Sequence, residues 1–86
     1  MYEIILSKGT AKFLANLYSR DKKLLGRFYE SFEKISKDPY CANPLVGNLK
    51  GYYSYRVGDY RIIFEIEKKR LLVFIEKIEH RKSAYK

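Results

Sequence analysis

Tyr52-Tyr53-Ser54-Tyr55-Arg56-Val57-Gly58-Asp59-Tyr60-Arg61-Ile62-Ile63-Phe64-Glu65-Ile66-Glu67 is the stretch that decides how this chain folds. Apolar and polar side chains alternate on both sides of Gly58-Asp59, so the stretch reads as two antiparallel strands, Tyr52 to Val57 and Tyr60 to Glu67. Glycine at the first central position of a two-residue connection suits a type II′ turn. Such a turn fixes the register: Val57 opposes Tyr60, Arg56 opposes Arg61, Tyr55 opposes Ile62, and Ser54 opposes Ile63. One face then carries Tyr53, Tyr55, Val57, Tyr60, Ile62, Phe64 and Ile66 and reads as the core face. The other carries Tyr52, Ser54, Arg56, Arg61, Ile63 and Glu65.

Working outward, Lys68 to Arg70 turns the chain and Leu71 to Glu79 reads as a third strand. Strict alternation puts Leu71, Val73 and Ile75 on the core face, and Leu72, Phe74 and Ile78 beside the arginines. Upstream, Tyr40 to Gly51 reads as a loop punctuated by Pro44, Gly47 and Gly51. Before it, Asp21 to Lys37 has a helical stripe of Leu24, Leu25, Phe28, Phe32 and Ile35, and Asp38-Pro39 ends it. Ser7 caps an earlier helix running to about Tyr18, with Phe13, Leu14 and Leu17 on one side. Tyr2 to Leu6 reads as a short strand, and His80 to Lys86 as a short polar tail. The expected class is α+β in a single domain, residues 1–86. Its order is an N-terminal strand, an antiparallel helical hairpin and a three-stranded antiparallel meander, with the helices on one face of the sheet.

The 86 residues leave room for one modest core. Lysine and arginine number 18 against 10 acidic residues, a formal charge of +8. A small domain with that excess repels itself, so the charge points to an anionic partner. A membrane is not expected: no apolar run nears the roughly 20 residues of a spanning helix, and the acidic N-terminus does not read as a signal peptide. One cysteine, Cys41, fits a reducing, cytoplasmic setting. One cysteine and one histidine do not make a four-ligand transition-metal site, so neither a metal nor a small-molecule cofactor is expected.

Two arginines directly across a strand pair destabilise it unless an anion joins them. Glu76 on the third strand is the internal candidate. A phosphodiester is the external one, because guanidinium binds phosphate through paired hydrogen bonds. The apolar part of the same face suggests a protein partner alongside a polyanion.

The run Leu49 to Phe64, with Tyr55-Arg56-Val57-Gly58-Asp59-Tyr60-Arg61-Ile62 at its centre, resembles the signature of the RelE/ParE toxin superfamily. His80-Arg81-Lys82-Ser83-Ala84-Tyr85 resembles its C-terminal element. The likeness covers essentially the whole chain, and it implies a RelE-like fold and a toxin of a type II toxin–antitoxin pair. RelE-like members cleave mRNA in the ribosomal A site, whereas ParE-like members poison DNA gyrase without nuclease activity. The RelE branch implies partners in the form of a RelB-like antitoxin, the ribosome and mRNA. It also implies an endoribonuclease that needs no metal and uses the RNA 2′-hydroxyl as nucleophile.

Carried over by position, Arg61, Arg81 and Tyr85 match the catalytic residues, and Lys50, Arg56, His80 and Lys82 the RNA-binding ones. Tyr85 is the implied base, made more acidic by nearby cations. Arg61 is the implied phosphate ligand, and Arg81 the group on the leaving oxygen. Ser54 stands where some members place a second lysine, a departure that leaves the ParE-like alternative open. A nontoxic RNA-binding relative is the third reading.

Overall fold

Each helix begins where an oxygen-bearing side chain meets N–H groups that have no partner inside the helix. The computed structural model describes residues 1–81. Strand β1 (Glu3–Leu6) leads into helix α1 (Lys8–Arg20), whose cap Ser7 accepts the Thr10 N–H at 3.1 Å. Asp21 both closes α1 and opens α2 (Lys22–Lys37), accepting the Leu24 N–H at 3.0 Å. A one-residue link folds the two helices into a hairpin. The first helix therefore runs two residues past the expected end at Tyr18, because the break lies at Asp21 alone.

After α2 come a turn of 3-10 helix at Pro39–Cys41, a short strand β2 (Asn43–Pro44) and a second 3-10 turn at Gly47–Leu49. Strands β3 (Tyr52–Val57), β4 (Tyr60–Glu67) and β5 (Leu72–His80) follow. The sheet has five strands in the order β1-β5-β4-β3-β2. The meander sits at its centre, β1 adds to β5 in parallel, and β2 adds to β3 antiparallel. The expected loop from Tyr40 to Gly51 thus contains an edge strand. It is two residues long and includes Pro44, which only an edge position tolerates.

Both helices lie on one face. Leu14, Leu25, Phe28, Phe32 and Ile35 pack against Val57, Ile62, Phe64, Val73 and Ile75 in a single buried cluster. The hairpin register is as the turn dictates, with Arg56 opposite Arg61 and Val57 opposite Tyr60. Gly58 has φ +58°, while Asp59 stays at negative φ, which is the type II′ pattern. A Cβ on Gly58 would also come within 3.1 Å of the Arg27 guanidinium. Gly58→Ala should therefore lower the unfolding free energy by about 1–2 kcal/mol, read from urea denaturation. An unchanged urea midpoint would show that the turn relaxes freely.

Strict alternation fails in β5. Ile63 pairs with Lys77 but Phe64 pairs with Ile75, leaving Glu76 as a bulge. Ser7 braces it: its hydroxyl donates to the Glu76 carbonyl at 2.7 Å and its N–H to the Ile75 carbonyl at 3.0 Å. The Thr10 hydroxyl, 2.9 Å from Ser7 Oγ, supplies the remaining hydrogen of that small network.

Beyond the bulge every side chain changes face. Ile78 pairs with Ile62 and packs on the core, not beside the arginines as expected. Glu79 takes the place expected of Glu76 and pairs with Arg61. Leu71 also departs from expectation: it is a turn residue with φ +54° and is exposed, so the strand starts one residue later.

Candidate functional site

The register that sets Arg56 across from Arg61 brings both to the turn end of the sheet, on the face the helices leave open. There Arg56, Gly58, Asp59, Tyr60, Arg61 and Arg81 line a recess of about 130 Å³. Arg81 follows β5 directly, and its backbone N–H donates to the Asp59 carbonyl at 2.6 Å. That bond ties the end of the last strand to the β3–β4 turn and sets a third arginine at the rim. The Arg56 Nε–H donates to the Gly58 carbonyl at 3.2 Å, so its guanidinium is braced on its own turn.

The internal counter-ion is Glu79. Arg61 Nη2 donates to Glu79 Oε1 at 3.0 Å, and Lys77 Nζ stands 3.1 Å from Glu79 Oε2. Glu79 is thus shared by two cations, which reduces the repulsion between Arg56 and Arg61 without cancelling the local excess. Arg56, Arg61, Lys77 and Arg81 outnumber the carboxylates of Asp59 and Glu79. One donor is left over: Arg61 Nε is buried and has no hydrogen-bond partner among the described residues. An unsatisfied buried N–H costs about 1–3 kcal/mol.

The other candidate residues fall in different places. His80 pairs with Tyr60 on the helix side of the sheet. The two rings meet edge-on at 4.9 Å, and Tyr60 packs in turn on Phe28 at 5.5 Å and Phe13 at 6.0 Å. His80 therefore belongs to an aromatic stack behind the recess and does not line it. Lys50 precedes β3 at the end away from Arg56, roughly 20 Å along the strand. It borders a separate groove with Pro44, Leu45, Val46 and Tyr52. Lys82 and Tyr85 lie outside the described residues.

At the end away from the recess, Tyr52 pairs with Glu65. The Glu65 carboxylate first, then burial, then Glu76 hold the Tyr52 phenol above its ordinary pKa. Sequence reading missed Glu79, Lys77 and Asp59 at the site. Asp59 was legible as a neighbour of both arginines through the turn, whereas Glu79 and Lys77 depend on the bulge.

A helical hairpin on one face of a mixed five-stranded sheet, with arginines gathered at the open end of its central hairpin, defines a toxin of the RelE/ParE superfamily. Residues 4–85 match the family model described as ParE toxin of type II toxin-antitoxin system, parDE, and the chain belongs to that family. No curated protein matches it in sequence.

Among solved structures it resembles the RelBE2 toxin–antitoxin complex of Mycobacterium tuberculosis, with TM-score 0.79 and 26% identity over 93% of this chain and 91% of that one. It also resembles the archaeal RelE–RelB complex of Pyrococcus horikoshii, with TM-score 0.76 and 27% identity over 93% and 94% of the two chains. The YoeB–YefM complex of Staphylococcus aureus shares the fold, with TM-score 0.78 and 19% identity over 93% and 97%.

Proposed function

We propose that this toxin is an endoribonuclease that cuts mRNA on the ribosome without a metal ion. The observation that carries the reading is the recess itself: three arginines around a small cavity, a local excess of cations over the carboxylates of Asp59 and Glu79. A phosphodiester matches that demand in charge and in hydrogen-bonding geometry.

In the reaction the RNA 2′-hydroxyl attacks the adjacent phosphorus and loses its proton to a base. The 5′-oxygen leaves with a proton from an acid, and the products are a 2′,3′-cyclic phosphate and a free 5′-hydroxyl. Arg61 and Arg56 hold the non-bridging oxygens as charge builds in the pentavalent state, and Arg81 faces the leaving oxygen. Tyr85 is the base. It follows Arg81, whose backbone is fixed to Asp59, by four positions. An extended chain of that length reaches about 14 Å at most, so the recess is within range.

The chain's own partner is a RelB-like antitoxin, whose acidic residues complement the +8 charge. The complexes formed by its structural relatives support this. Copurification with the product of an adjacent small open reading frame tests that point.

The match to a ParE family model favours a second reading, gyrase poisoning with no chemistry. Mapping RNA 5′ ends in cells expressing the wild type and Tyr85→Phe separates the two. New cuts within translated codons, lost in the variant along with growth arrest, are expected. Growth arrest with intact mRNA, together with a block of supercoiling by purified gyrase, would replace the nuclease with the poison.

A further inference from the structure

We infer that a second phosphate-binding subsite lies on the helix side of the β3–β4 turn, built from Arg27, Lys34 and Arg56. This rests on the nuclease reading and extends it, because the ligand is the phosphodiester backbone of the RNA flanking the cut. The cleft there has a volume of about 210 Å³ and is lined by Arg27, Glu30, Ser31, Lys34 and the segment from Tyr55 to Gly58. Arg56 and Gly58 also line the catalytic recess, so the two cavities share a wall and lie back to back across one turn.

Helical spacing puts Arg27, Ser31 and Lys34 on one face of α2, at i, i+4 and i+7. The side chains are placed rather than merely nearby. The Arg27 guanidinium rests against the turn, 3.1 Å from where a Gly58 Cβ would stand. Ser31 Oγ donates to the Arg27 carbonyl at 2.9 Å, which ties the cleft wall to the helix backbone. Three cations face one carboxylate, Glu30. The salt bridges among the described residues, Arg61–Glu79 and Lys77–Glu79, involve none of the three. Two guanidinium groups held against the turn and a neighbouring ammonium group, with a deficit of carboxylates, make a backbone contact for a polyanion, independent of base sequence. A strand leaving the recess at Arg56 would cross Gly58, where the missing side chain keeps the path low, and meet Arg27.

The test uses the intact toxin and uncleavable 2′-O-methyl RNA, a trinucleotide and a nonanucleotide, with binding followed by fluorescence anisotropy at several salt concentrations. The Arg27→Ala/Lys34→Ala variant changes exposed helix positions and should keep the wild-type melting temperature. It should bind the nonanucleotide at least tenfold more weakly and the trinucleotide as the wild type does. The slope of log affinity against log salt should fall by roughly 0.7–1.4 for the longer RNA, as loss of one or two phosphate contacts requires. Arg27→Lys should retain most of the affinity.

Equal weakening of both oligonucleotides, or no weakening, overturns the subsite. So does unchanged RNA binding accompanied by loss of the copurifying antitoxin, because the cleft would then be a protein contact. Failure of the wild type to bind either RNA overturns the subsite, whereas the nuclease reading stands or falls on the cuts mapped in translated mRNA.

Discussion

Arg61→Ala should slow RNA cleavage by about 10²–10³-fold and leave the protein folded. The magnitude is that of removing one preorganised donor from a site where negative charge develops. Arg61 is singled out because it lines the recess while its Nη2 is held by Glu79, so the guanidinium is aimed before any ligand arrives. The fold should tolerate the change. Glu79 keeps Lys77 as a partner at 3.1 Å, and the repulsion across the strand pair from Arg56 disappears. A partly exposed ion pair of this kind contributes no more than about 1 kcal/mol. Arg61→Lys should fall between the two, since an ammonium keeps the charge but loses the paired geometry. Cleavage of a ribosome-bound message, scored by fragments ending in a 2′,3′-cyclic phosphate, measures all three. Wild-type rates in Arg61→Ala would remove this residue from the mechanism.

Phe28→Ala should act by the opposite route, destroying the fold and sparing the chemistry. Phe28 is fully buried and meets the rings of Phe13 at 5.8 Å and Tyr60 at 5.5 Å. It joins both helices to the strand that begins beside the recess. Removing a buried phenyl ring costs about 3–5 kcal/mol, because the cavity it leaves closes only in part. A chain of 86 residues has a total stability of roughly 4–13 kcal/mol, so the variant should be unfolded in a large share of molecules at body temperature. Urea unfolding should show a midpoint moved sharply downward. A loss below about 1 kcal/mol would mean that the helices do not seal this end of the core. Loss of toxicity in Phe28→Ala and in Arg61→Ala would look alike in cells, and the urea midpoint tells them apart.

The central hairpin was legible in full because local rules overlap there. Gly58 sets the turn, the turn sets the register, and the register sets the two faces. The helices were legible because Ser7, Asp21 and Asp38-Pro39 mark their ends chemically. Two features escaped, both for want of a local signal. Strand β2 exists only because β3 offers an edge to Asn43 and Pro44, a long-range pairing with no periodicity of its own. The bulge at Glu76 comes from Ser7, at the other end of the chain, bonding to its carbonyl. Alternation along β5 could not report that. Alternation therefore gives the Arg56–Arg61 pairing but offers Glu76 as the internal candidate beside it, where the structure has Glu79.

That bulge also bears on how relatives should be lined up. Strand β4 has 8 residues and β5 has 9, yet they pair from end to end, Tyr60 with His80 and Glu67 with Leu72. Glu76 is the surplus. A relative without it would pair residue for residue and still present the equivalents of Ile78 to the core and of Glu79 to Arg61. Counting forward from the turn would then misplace its last arginine by one position, whereas counting from the pairing of Tyr60 with His80 would not. The two ends of this domain keep separate rulers, and Glu76 is where they meet.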